Sequence, residues 1–148
     1  MLLVLVLVTA LAGGYLYISH RNSGSGLANN FVSVDQRVAA AARAIPAAAQ
    51  KIQRFDEVHT WDTFALTTLS QMGRDRDLLE KIAKTQSGSS RQIAERAATA
   101  AQQAANAGIL YRDSVAVTYN LSDADNAKAA MLGAAATLDQ TAQAWQKG

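Results

Sequence analysis

Apolar residues are arranged along this chain in two ways. From Met1 to Ser19 they run almost unbroken (MLLVLVLVTALAGGYLYIS), and no side chain there is charged at neutral pH. After Asn30 they recur at alternating short intervals, the spacing of helices that each bury one narrow stripe. The first stripe is Phe31, Val34, Val38, Ala41, Ile45, Ala48, Ile52 and Phe55, with Ser33 or Asn30 as N-cap. Pro46 lies within it, and a kinked helix is expected there because the stripe resumes in phase. A second stripe runs Trp61, Ala65, Thr68, Met72, Leu79 and Ile82, widened by Phe64 and Leu69. Its middle, Gly73-Arg-Asp-Arg-Asp77, is charged on every face, so the helix is expected to emerge into solvent or bend.

Gln86-Ser-Gly-Ser-Ser90 marks a turn. The third stripe, Ile93, Ala97, Ala100, Ala104, Ala107, Tyr111 and Val115, is alanine through its centre and requires a closely approaching neighbour. Leu121-Ser-Asp123 opens the last helix, capped by Ser122 or Asp123. Its stripe is Ala127, Met131, Ala134, Leu138, Thr141 and Trp145. The expected fold is all-α: an N-terminal transmembrane helix over 1–19, a flexible linker over 20–30, and an elongated antiparallel four-helix bundle over 31–148.

As a helix, Met1–Ser19 is roughly 28 Å long, close to the hydrocarbon thickness of a bilayer, and only a helix pairs its own backbone there. Tyr15 and Tyr17 fall where phenols reach the interface, and His20 and Arg21 close the run. Ala10-Leu11-Ala12 resembles a signal-peptide cleavage site, but no basic residue precedes the run and its apolar character continues to Ile18. An uncleaved anchor is the better reading. The basic flank biases the following domain weakly to the cytoplasmic side.

Composition adds limits. The remaining chain of about 125 residues suits one domain. The 14 basic and 12 acidic residues are interleaved, which gives no footprint for nucleic acid. With no cysteine, disulfides and thiolate metal sites are excluded. One proline among 31 alanines favours helix throughout.

No constellation of reactive residues stands out, and no catalytic, cofactor-binding or metal-binding residue is assigned. His59 reads as a solvated surface residue, far from His20 in sequence. Asp35, Asp56, Asp113 and Asp139 fall off the stripes, so no carboxylate metal site is expected in the core. Gly24 and Gly26 precede no strand, so there is no phosphate loop. Trp61, Trp145, Tyr111 and Tyr119 read as packing residues before a haem or ligand pocket. Asn120-Leu121-Ser122 fits a glycosylation sequon, which matters only in a secreted eukaryotic chain.

An anchor ending in Tyr17, followed by Phe31, Val34-Asp35, Val38, Ile45-Pro46, Ile52 and Phe55, resembles the opening of the LemA family of bacterial membrane proteins. The intervals from Tyr17 to Asp35, Pro46 and Phe55 fit that pattern without a gap. Ile93, Tyr111, Val115 and Tyr119-Asn120 resemble its second signature, two Tyr-Asn pairs flanking a valine. Ala40, Ala41 and Arg43 stand where the family has paired arginines and an acid, Ala48-Ala49 replaces its leucine-valine, and Tyr111 lacks its Asn. The resemblance spans residues 2–58 and 93–120. It implies a membrane-anchored helical bundle without enzymatic activity, in a bacterial cytoplasmic or internal membrane.

The function expected is therefore that of a scaffold or accessory subunit. Its partners are the bilayer and another protein or a second copy, met through the Ala-rich helix faces. No nucleic acid, small-molecule substrate or cofactor is expected. The alternative is the ligand-sensing bundle of a chemoreceptor-type protein, which needs an apolar run after Gly148. A bundle haem protein is a third class, marked by visible absorption.

Overall fold

The computed structural model describes residues 26–148. The Met1–Ser19 stretch read as an anchor, and the linker up to Ser25, lie outside them. Among the described residues no helix is long and apolar enough to cross a membrane. A single 3-10 turn covers Ala28–Asn30. Separately from it, Phe31–Gly148 forms one compact helical unit.

Its helices are α1 (Phe31–Ala49), α2 (Phe55–Thr85), α3 (Gly88–Ala116) and α4 (Leu121–Lys147). Cross-helix pairings fix their directions, because as one residue number rises its partner's falls. Between α1 and α2, Arg37 meets Asp75 and the Ile45 carbonyl meets Trp61. Between α2 and α3, Arg112 meets Asp62 and Arg76 meets Gln102. Arg96 of α3 donates to Gln140 of α4, and α4 returns along α1 with Trp145 against Phe31 and Thr141 against Asp35. All four neighbouring pairs are antiparallel. The result is the up-down-up-down bundle expected from short connections.

α1 differs from its expected course. It ends at Ala49, shortly after Pro46, and its last turn tightens through Lys51 N–H to Ala48 O and Ile52 N–H to Ala49 O (both 3.1 Å). Phe55 does not continue its stripe but opens α2 with 78% of its surface exposed. A local start signal decides this: Glu57 accepts hydrogen bonds from the backbone N–H groups of Gln53 (2.7 Å) and Arg54 (3.2 Å), as the acid of a capping box does. Those two bonds hold the Glu57 carboxyl below its usual range.

α2 runs unbroken through Gly73–Asp77 and keeps one side of it in the core. Asp75 occupies the buried position between Met72 and Leu79, so the stripe is continuous. The α2–α3 turn is shorter than expected, because Gly88 already belongs to α3 with φ +58°, a conformation that favours glycine. α4 is capped two or three residues earlier than expected, by Asn120 Oδ1 accepting from Asp123 N–H (3.2 Å).

The alanine face of α3 is spent inside the molecule. Ala94, Ala97, Ala101 and Ala104 are buried, and α1 also packs against α3 across the diagonal. A Cβ at Gly108 would overlap Leu69 Cδ2 and approach Met131 Cε at 3.4 Å, so three helices meet at van der Waals distance there. The faces expected to meet a partner are therefore turned toward the chain's own helices.

Candidate functional site

The bundle has two dissimilar ends. One holds Phe31, the α2–α3 turn and the last turn of α4; the other holds the α1–α2 and α3–α4 connections. The buried carboxyl groups, Asp35 and Asp75, lie toward the first end, and large apolar side chains are exposed toward the second.

Asp35 sits on α1 with 0% of its surface exposed, against the expectation that it falls off the core stripe. Its position next to Val34 widens that stripe toward α4. Oδ2 lies 2.7 Å from Thr141 Oγ1, and Oδ1 has no hydrogen-bond partner. Burial pushes the carboxyl up to about 7; the charge of Asp139 adds to the rise, and the Thr141 hydrogen bond opposes it. The Thr141 oxygen is also 2.8 Å from the Leu138 carbonyl. A protonated Asp35 donates to Thr141, freeing the threonine proton for Leu138, so every hydrogen has an acceptor. The ionised form leaves a charge in the core with one donor only.

Asp75 is buried as well, and its charge is matched. Arg37 reaches it from α1 with a fork, Nη2 to Oδ1 at 2.6 Å and Nε to Oδ2 at 3.2 Å. Arg43 of α1 forks to the half-exposed Asp139 of α4. Arg112 of α3 binds Asp62 of α2 and its neighbour Asp113, and it holds the Asp62 carboxyl below its usual range. These groups are saturated by one another. The described residues contain no group of three or more His, Cys, Asp or Glu side chains placed to hold a metal.

The aromatics divide into separate pairs. Trp61 packs edge-on to Tyr111 (6.0 Å), Trp145 stacks on Phe31 (4.0 Å), and Tyr119 lies against Phe55 (6.3 Å). They do not converge on one pocket. The Trp61 indole also donates to the Ile45 carbonyl at 3.1 Å, tying the end of α1 to α2. His59 is exposed, and Asp56 lies at the surface.

The second end is the candidate interaction site. Phe55, Val117, Tyr119 and Leu121 surround the two connections there, with Leu121 78% exposed. Leu66, Ile109, Leu110 and Leu132, the remaining large apolar residues that are exposed among those described, lie in the same half of the bundle. The opposite half has none among the described residues. Single exposed leucines are ordinary on any surface, but confinement of all of them to one half is not. Local spacing alone could not reveal this cap, because it forms only when two turns distant in sequence are brought side by side.

Comparison of the chain with models of known families, with curated proteins and with solved structures finds no match.

Proposed function

We propose that this chain is a non-enzymatic, membrane-anchored helical bundle of LemA-like type that works by binding protein, as a scaffold or accessory subunit in a bacterial cytoplasmic or internal membrane. The observation carrying this reading is the gathering of exposed large apolar side chains in one half of the bundle, with Phe55, Val117, Tyr119 and Leu121 at its end. The buried acids, by contrast, are closed off or paired within the fold. The uncharged run Met1–Ser19 supplies the tether, and it joins the bundle at Phe31, the end away from the apolar cap.

The test is purification of the full chain from membranes in mild detergent. Elution well above the mass of one 15.7 kDa chain plus its detergent, as a defined multimer or with a stoichiometric partner, is expected. A lone monodisperse monomer overturns the reading.

A further inference from the structure

The seam between α1 and α4 repeats one spacing on both helices. Phe31 and Asp35 lie one turn apart on α1, and they meet Trp145 and Thr141, one turn apart on α4. Phe31 is fully buried, whereas the Trp145 stacked on it is partly exposed, so the seam meets solvent at that stack. Asp35 is fully buried one turn further in. Among the described residues its carboxyl has a single hydrogen bond, to the Thr141 hydroxyl, and Oδ1 has none.

The charged groups of the surrounding helices are committed elsewhere. Arg37 of α1 is forked to Asp75 of α2, and Arg43 of α1 to Asp139 of α4. Arg96 of α3 donates to Gln140 of α4, while Lys81 of α2 and Lys147 of α4 are exposed. Asp139 adds negative charge on the α4 side.

From this geometry we infer that the α1–α4 seam is a proton-operated latch, closed when Asp35 is protonated and parted when it is ionised. Protonated Asp35 donates to Thr141, and Phe31 closes on Trp145. Once ionised, the carboxylate has one hydroxyl to solvate it, and the turns carrying Phe31–Asp35 and Thr141–Trp145 separate to admit water. The rest of the bundle holds. Arg37 and Trp61 tie α1 to α2, and the contact at Gly108 joins α2, α3 and α4. Burial raises the Asp35 carboxyl to about 7, so the latch is shut in mildly acidic solution and opens through neutral pH. The latch does not depend on the proposed binding role.

Trp145 reports the seam, and Trp61, toward the other end of the bundle, serves as the control. The full chain in mild detergent is titrated from pH 5.5 to 8.5, with acrylamide quenching of indole fluorescence as readout. In Trp61→Phe, where Trp145 is the remaining indole, the quenching constant is expected to rise about twofold or more as the closed state gives way to the open one. Its midpoint is expected at about 7, with helix content by circular dichroism unchanged. In Trp145→Phe, quenching of Trp61 is expected to stay flat. Adding Asp35→Asn to Trp61→Phe keeps the shape, His20 and His59 but removes this titration, so the rise is expected to vanish. Asp35→Ala is the second non-titrating variant, in which Thr141 still has the Leu138 carbonyl to donate to.

PH-independent quenching of Trp145 overturns the inference. So does a rise that persists in both Asp35 variants, which assigns it to another group. An equal rise at Trp61, or a matching loss of helix, also overturns it, because the whole fold is then loosening rather than one seam.

Discussion

Arg37 of α1 and Asp75 of α2 form a two-pronged ion pair in which only 2% of the Asp75 side chain and 21% of the Arg37 side chain are exposed. The pair stands where Met72 and Leu79 call for an apolar residue, so it joins the two helices at the cost of desolvating a charge. Removing one partner is worse than removing both. Arg37→Ala leaves Asp75 buried and unpaired, a loss of about 3–5 kcal/mol in denaturant unfolding. The double change Arg37→Met with Asp75→Leu is expected to recover most of that loss, or to exceed the parent. Equal losses from the single and double variants count against a buried pair.

Asp35 predicts an unusual pH dependence. Its carboxyl is raised in the folded state from 3.8 to about 7, so the native state binds its proton more tightly than the unfolded chain. The contribution is fully present below pH 4 and shrinks as pH rises toward 7. Above that it is constant, at about 4 kcal/mol less stability. Asp35→Asn keeps the shape and removes the titration, so this slope is expected to vanish in the variant. Chemical unfolding at pH 4.5, 6 and 8 checks it; identical slopes in parent and variant contradict the assignment.

Glycines separate packing from helix propensity. Gly73 and Gly133 have nothing within 4 Å of a built Cβ, so Gly→Ala at either is expected to gain about 0.5–1 kcal/mol. The same change at Gly108 overlaps Leu69 and should lose about 1–3 kcal/mol despite the better propensity. Thermal melts of the three variants measure the contrast.

The helices and most of their buried stripes were legible because the signal is local. Met131, Ala134, Leu138 and Thr141 are buried where their spacing places them. The end of α1 was not, because Ile52 and Phe55 prolong its stripe by coincidence while Glu57 initiates a new helix. By residue type Asp75 belongs at the surface, although it continues the interval from Met72 to Leu79. Only Arg37, a tertiary partner, makes that burial tolerable. Asp35 was hidden for the same reason. The apolar cap was invisible because nothing in the local sequence places Phe55 beside Tyr119.

The tether is tested most directly by alkaline carbonate extraction of membranes from cells making the full chain, with sequencing of the amino terminus. Retention in the membrane pellet with residues 1–12 still attached is the expected result. Recovery in the aqueous supernatant with a new amino terminus at Gly13 contradicts it and makes the bundle a free protein.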